Sequence, residues 1–409
     1  MKILFLSSRL PYPPVGGDKL KNYYLLQILA KHFDVHLVTV TDEPFDDRAE
    51  QFLAAHTSSY RVFAKPKYRF RLNTAKALFN DFPLQVNYYY FRDVQQYVDE
   101  VARDVDLVFC TLIRTAKYAE RMDKPKILDL ADSISLNYVN SYRREKSLFW
   151  KTLYKFESSR LLACEKNAID TFDKTLLFNP QETQFFNRPD KIVWIPHGVN
   201  ENLFLLEDTV PDSRNCVVFF GKMDYPPNVN AVLWFCENVL PKLDRRLRFV
   251  VAGARPSRAV LKLPSKYINI EVTGFIDNPY RIIKSALCVV APMQTGGGIQ
   301  NKILEAMATG AVVVATTLAA TPIIGVCNND TLVVRDDPTD MAAAINDIFE
   351  NRDKYVPIGQ NARQYIKNNF TWTIYEKKIL AVIHAVLGYR LPPPVPTLVT
   401  RVTASSPSD

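Results

Sequence analysis

Short apolar runs recur through the first half of this chain, at Ile3–Leu6, Val35–Val40, Leu107–Cys110, Ile127–Leu130, Leu176–Phe178 and Val193–Ile195, with helical stretches between them. Runs that are apolar throughout suit strands buried on both faces, and their alternation with helices is the pattern of βαβ units around a parallel sheet. The pattern begins again at Cys216–Phe220 and continues through Phe249–Ala252, Ile268–Val272, Leu287–Ala291, Val312–Ala315 and Leu332–Val334. Ala231–Val239, Ile299–Met307 and Met341–Phe349 are predicted helices of this second half. At 409 residues the chain exceeds what one core supports, so the α/β prediction is two doubly wound, Rossmann-like parallel-sheet domains. The predicted division is 1–195, 196–371, a last helix over 372–389 and a tail over 390–409, whose prolines and serines cannot build a core.

Hydrophobic residues at 47% and charged residues at 23% exclude a largely disordered protein. A formal charge of +8 suits anionic ligands or an anionic membrane surface. The six cysteines are scattered without a CxxC pair, as expected of reduced thiols in a cytoplasmic protein. The opening run before Arg9 is too short for a secretory signal, and no stretch reaches the ~18 consecutive apolar residues of a membrane span. Any membrane contact is therefore expected to be peripheral, at the inner face.

The most informative segment runs from Ala291 to Ala315 and reads as strand, three glycines, helix, glycine stop, strand. Gly296, Gly297 and Gly298 let backbone approach a ligand, and the free amides of the helix that follows face an anion with the favourable end of the dipole. Lys302 in the first turn opposes that dipole and is better tolerated beside a phosphate. Glu305, one turn on, is placed to accept hydrogen bonds from a ribose diol. A glycine-rich loop with a solvated Lys and Glu on a helix face fits the same letters, and chemistry alone leaves both readings open.

This segment, with Leu304-Glu305-Ala306-Met307-Ala308 and Gly310, resembles the donor-binding signature of the retaining glycosyl transferases of group 1, family four, which have the GT-B fold. Ile195–Asn200 with Phe204, Val218–Met223 and Val272–Asp277 resemble other stretches of that family, so the resemblance covers nearly the whole chain. It implies two Rossmann-like domains facing across a cleft, with the last helix crossing back to the first domain. It implies that Glu305 holds the ribose, that Gly296–Asn301 (including Ile299 and Gln300) and Gly221 hold the diphosphate and sugar, that Gly274 and Phe275 frame the base, and that Lys222 lies on the diphosphate. The family's second cation, about five residues after Lys222, is replaced by Pro226, Pro227 and Asn228, and Lys302 is the candidate substitute. The family's usual first Glu, eight positions before Glu305, is Gly297 here, as in a branch with a Gly-rich loop. That departure leaves the donor sugar open and admits a catalytically silent subunit.

In the first domain Gly16 and Gly17 begin a helix where the family's loop faces the donor, and a plain βα turn is the other reading. Asp132 follows a strand and either orients an acceptor hydroxyl or caps the next helix. None of the five histidines falls after Leu107–Cys110, where many relatives place one, and Arg114 occupies that region. The resemblance implies front-face displacement with no enzymatic nucleophile, Lys222, Lys302 and Asp132 being the catalytic candidates. No Asp-x-Asp pair suits Mg²⁺, so no metal or other cofactor is implied. Cations and aromatics interleave over Lys65–Tyr90 and Tyr142–Arg160, which suits an anionic bilayer or, equally, a core with a solvated basic face. Nucleic acid is not expected, since no recognised module accompanies the charge. The expected activity is transfer of a sugar from a nucleotide-diphosphate sugar to a saccharide or lipid-linked acceptor, in surface polysaccharide synthesis. A nucleotide-sugar 2-epimerase is a further alternative that would want cleft carboxylates and histidines, which the sequence does not place there. An NAD enzyme lacks its G-x-G-x-x-G after the first strand.

Overall fold

The computed structural model describes residues 1–14, 17–144, 147–206, 215–296 and 298–388. The first sheet has seven strands, β1 (Lys2–Ser7), β2 (Asp34–Thr41), β3 (Ser59–Ala64), β4 (Leu107–Thr111), β5 (Lys126–Ala131), β6 (Lys174–Leu177) and β7 (Ile192–Trp194), in the order β3-β2-β1-β4-β5-β6-β7. The second has six, β8 (Cys216–Phe220), β9 (Arg248–Ala252), β10 (Ile270–Gly274), β11 (Cys288–Ala291), β12 (Val313–Ala315) and β13 (Val333–Val334), in the order β10-β9-β8-β11-β12-β13. Neighbouring strands pair in parallel throughout. Strand order reverses between β1 and β4 and between β8 and β11, and a doubly wound sheet opens its ligand crevice at such a switch, beyond the carboxyl ends of the strands.

The continuous apolar runs have a direct cause. Ile3 and Phe5 of β1 join one core and Leu4 and Leu6 the other, so every residue of the run is buried. Strand β3 escapes the sequence reading because it is an edge strand, buried on one side only, and its letters mix polar with apolar. The predicted start of β10 at Ile268 is corrected: that side chain is 100% exposed and the strand begins at Ile270. The donor-side helix spans Asn301–Thr309, two residues later than predicted at each end, and Gly310 closes it in a left-handed cap with its amide bonded to the Ala306 carbonyl.

The last helix, Trp372–Val386, is started by the Thr371 side chain, which accepts from the Ile374 amide. Its Trp372, Tyr375, Ile379 and Ile383 belong to the core that contains Ile3, Phe5 and Leu25 of the first domain. The chain thus passes twice between the sheets, and the two crossings touch. Val199 pairs with Thr371 in a β-bridge, and its amide donates to the Phe370 carbonyl at 2.8 Å. A Cβ at Gly198 would meet the Trp372 nitrogen at 2.2 Å, so no larger residue fits there. Tyr24 of the first domain stacks on Trp372 at 4.1 Å. Cys110, Cys216, Cys236 and Cys288 are buried free thiols, and Cys327 is exposed. No helix among the described residues is long and apolar enough to cross a membrane.

Candidate functional site

Two loops leave the β8–β11 switch point. The first carries Gly221 and Lys222. Lys222 is exposed and pairs with no carboxylate among the described residues, while its carbonyl accepts from Asn228 Nδ2 at 2.9 Å. The second loop runs from Pro292 to Gln300 into the helix Asn301–Thr309. Lys302 does not point to solvent from that helix. Its ammonium turns back onto Asn228 Oδ1, 3.5 Å from the Met293 sulfur and 4.6 Å from the centre of the Phe219 ring. Burial pushes its pKa down to about 7. The solvated-lysine reading therefore fails, and a weakly compensated cation stands behind Lys222 near the place left empty of charge by Pro227.

Within the loop, Gly296 packs on Pro227, with an added Cβ 3.5 Å from the proline ring, and Gln300 Nε2 lies as close. Thr295 Oγ1 is buried without a hydrogen-bond partner, Ile299 is buried, and Asn301 opens the helix. Gly297 lies outside the described residues. Glu305 is part-buried beside Tyr280. Burial pushes its pKa up to about 7, and the neighbouring Tyr280 hydroxyl works in the opposite sense. Gly274 ends β10 with open space around it, and Phe275 beside it is 74% exposed.

The first domain meets this loop through Asp132. The register of β5 shifts between Asp129 and Ala131, and Ala131 takes a φ of 62°, which turns Asp132 out of the strand. The following helix, Ile134–Arg144, does not use Asp132 as its cap. Ser133 Oγ accepts from the Leu136 amide at 3.3 Å, and Glu165 accepts from the amides of Ile134 and Ser135 at 2.8 and 3.1 Å. Asp132 Oδ1 is left buried with no hydrogen-bond partner. It lies 3.4 Å from where a Cβ on Gly298 would stand, a distance that leaves room for one, while the Gly298 φ of 73° makes the backbone favour glycine there.

Behind Asp132 the cleft floor is acidic, which corrects the expectation that carboxylates are missing. Lys21 Nζ donates to Asp129 Oδ1 at 2.7 Å, and Glu182 accepts from the Ser133 amide at 2.6 Å. Burial raises the Asp132 pKa, opposed by Lys21, and burial together with the Asp132 charge raises that of Glu182. His197 sits between the rings of Phe178 and Trp372 and is held neutral, with burial lowering it to about 4. Gly17 starts the helix Gly17–His32 on an exposed turn, and Gly16 lies outside the described residues. Arg114 donates to Gln85 Oε1 at 3.0 Å and keeps a buried, unpartnered Nη1. Lys21, Asn228, Tyr280, Glu165 and Glu182 escape the sequence reading because each meets its partner only through the fold. Lys21, for instance, pairs with a residue 108 positions away. No group of metal-ligating side chains occurs among the described residues.

The basic aromatic segments divide. Phe70 and Tyr89 are core, whereas Phe79 is 90% and Phe149 70% exposed, and Tyr68, Trp150 and Phe156 are exposed as well. Arg160 donates to the Ala77 carbonyl at 2.9 Å, which ties the two segments into one surface.

Residues 214–351 match the family model described as glycosyl transferases group 1. An uncharacterized 44.6 kDa protein in the cps region of Klebsiella pneumoniae is 25% identical over 389 residues, 90% of this chain and 96% of that one. An uncharacterized glycosyltransferase of Methanocaldococcus jannaschii is 27% identical over 262 residues, 62% of this chain and 66% of that one. Among solved structures, HepE of Anabaena in complex with UDP has a TM-score of 0.66 at 16% identity, over 94% of this chain and 100% of that one. The same protein has been solved with UDP-glucose. The fold is GT-B.

Proposed function

We propose that this chain, whose residues 214–351 match the model of the group 1 glycosyl transferases, is a glycosyltransferase that moves a sugar from a nucleotide-diphosphate sugar, with retention of configuration, to a saccharide or lipid-linked acceptor in surface polysaccharide synthesis. The observation that carries this reading is the meeting of Gly298 in the donor loop with Asp132 of the first domain, which brings an unpartnered carboxylate to the loop that would hold the sugar. HepE is solved with UDP and with UDP-glucose on the same fold, which supports a UDP-sugar donor, and the Klebsiella relative comes from a cps region, which supports a polysaccharide product.

In this reading Gly221, Gly274, Phe275 and Gly296–Asn301 surround the nucleotide and diphosphate, and Glu305 takes the ribose. Lys222 and Lys302 stabilise the charge that develops on the leaving diphosphate. Lys302 gains most from that partner, because burial has left its charge without a carboxylate. Asp132 accepts from one hydroxyl of the acceptor and so orients the molecule; a neighbouring hydroxyl attacks the anomeric carbon on the face from which the diphosphate departs, the bond from that carbon to the diphosphate oxygen breaks, and the departing phosphate takes the attacking hydroxyl's proton. None of these steps calls for a metal.

The exposed Phe79, Phe149, Trp150 and Phe156 among lysines and arginines support peripheral contact with an anionic bilayer beside the acceptor side.

Thermal shift and calorimetry with UDP, GDP, ADP and their sugars, with and without Mg²⁺, test the proposal. One nucleotide that stabilises the parent, and loses most of its effect in Glu305→Ala, names the base. No binding at millimolar concentration removes the transferase reading. Binding without turnover favours a silent subunit, and conversion of the nucleotide sugar without nucleotide release favours an epimerase.

A further inference from the structure

Two cations stand near the carboxyl edge of the first sheet, and only one of them is neutralised. Lys21 pairs with Asp129 at 2.7 Å. Arg114, on the helix Ile113–Ala119 that follows β4, pairs with no carboxylate among the described residues. Its Nε donates to Gln85 Oε1 at 3.0 Å, and Gln85 Nε2 donates in turn to the Tyr138 hydroxyl at 2.8 Å. The Tyr89 ring lies 5.3 Å from the guanidinium carbon, and Tyr89 lines a small cavity with Ser7, Ser8 and Thr115 where β1 and β4 end. The guanidinium is therefore held near the switch point of this sheet, where a doubly wound fold opens its crevice. Amide oxygen and phenol ring are neutral groups, so they orient the charge without compensating it. Nη1 is buried and has no hydrogen-bond partner. A fork of N–H donors fixed in this way matches an oxyanion, which takes two parallel hydrogen bonds from it.

The surroundings of Tyr138 say what carries that anion. Tyr138 meets the Tyr154 ring at 5.3 Å, Tyr154 meets Trp150 at 6.1 Å, and Trp150 meets Phe149 at 5.4 Å. Tyr138 and Tyr154 are half-buried, whereas Trp150 is 48% and Phe149 70% exposed. An aromatic row thus leads from the side chain that Gln85 holds beside Arg114 out to the surface, along the helix Leu148–Thr171 that also carries Lys151 and Lys155. A saccharide bearing a carboxylate or phosphate has no use for such a row. A hydrocarbon chain ending in a phosphate does, since its methylenes leave water as they lie on the rings.

We propose that Arg114 binds the phosphate of a lipid-linked acceptor whose hydrocarbon chain lies along Tyr138, Tyr154, Trp150 and Phe149. That this lipid is the acceptor of a sugar rests on the function proposed above; the oxyanion site does not.

Calorimetry with dodecyl phosphate, below its micelle concentration and with saturating UDP present so that the donor's diphosphate site is filled, is the experiment. The parent is expected to bind dodecyl phosphate more tightly than inorganic phosphate, and to bind dodecyl maltoside, which has the chain without the charge, far more weakly. Arg114→Gln should weaken dodecyl phosphate at least about tenfold, the loss that follows removal of a charge-assisted hydrogen bond, and should leave the UDP-induced thermal shift as in the parent. Arg114→Lys keeps the charge without the fork and should fall between the two. Dodecyl phosphate bound equally by the parent and Arg114→Gln overturns the proposal. If Arg114→Gln does not fold, equal binding by the parent and Arg114→Lys overturns it instead. Glucuronate or inorganic phosphate bound as tightly as dodecyl phosphate overturns the lipid and assigns the oxyanion to a saccharide. Binding of dodecyl phosphate that depends on Arg114, with no UDP shift, leaves the site standing and removes the transferase reading.

Discussion

Lys21 and Asp129 form an ion pair at 2.7 Å whose side chains are 6% and 2% exposed, joining the first helix of the first domain to the strand that presents Asp132. Removing one partner strands the other in a medium that cannot solvate it. Lys21→Met is expected to cost about 3–5 kcal/mol in urea unfolding, and the double variant Lys21→Met with Asp129→Leu much less. An equal loss in single and double variants would show that the pair's charge is not what matters.

Glu305→Ala should weaken UDP at least about tenfold, since a hydrogen bond to a charged group contributes about 1.5–3 kcal/mol. Glu305 titrates at about 7, and its ionised form is the better acceptor for a ribose diol, so calorimetric affinity should rise with pH through that value. Tyr280→Phe removes the hydroxyl that holds the carboxyl down and should move the rise to higher pH.

Lys302→Met should abolish transfer and raise the melting temperature at neutral pH. Its folded pKa is lowered from 10.5 to about 7, so the unfolded state binds the proton more tightly. The folded state is therefore penalised increasingly as pH falls from the unfolded value towards the folded one, by an amount on the order of a few kcal/mol. A variant with lower stability and full activity would contradict both the burial argument and the role on the diphosphate.

Replacing Phe149, Trp150 and Phe156 together by serine should reduce cosedimentation with phosphatidylglycerol vesicles several-fold and leave the UDP-induced thermal shift unchanged. Binding by the parent should also fall with added salt, as expected where lysines and arginines face anionic headgroups. A parent that ignores such vesicles would remove the membrane from the proposal.

The two sheets were legible because parallel strands buried on both faces must be apolar throughout, and Ile3–Leu6 or Cys216–Phe220 can be little else. The glycine loop was legible because its letters are local: strand end, glycines and helix start follow one another. Asp132 was visible as a residue but not as a role, since only the fold shows that Ser133 and Glu165 cap the helix and leave its carboxylate free. Glu182 carried no signal at all. Its neighbours in sequence are those of any short helix, and its proximity to Asp132 is a matter of how β5 and β6 lie side by side. The turn of Lys302 towards Asn228 was hidden for the same reason, a contact 74 positions long.

The doubled crossing between the sheets restricts how the cleft can move. A single connection would let one domain tilt and twist about it like a ball in a socket. Here the bridge between Val199 and Thr371, with Gly198 pressed onto Trp372, fastens two strands of chain side by side and fixes a line. Gly198→Ala would force that line apart and should destabilise the protein by more than about 4 kcal/mol in chemical unfolding. Any motion about that line would be that of a door: opening would carry Gly298 away from Asp132, and closing would return the same two residues to the same place.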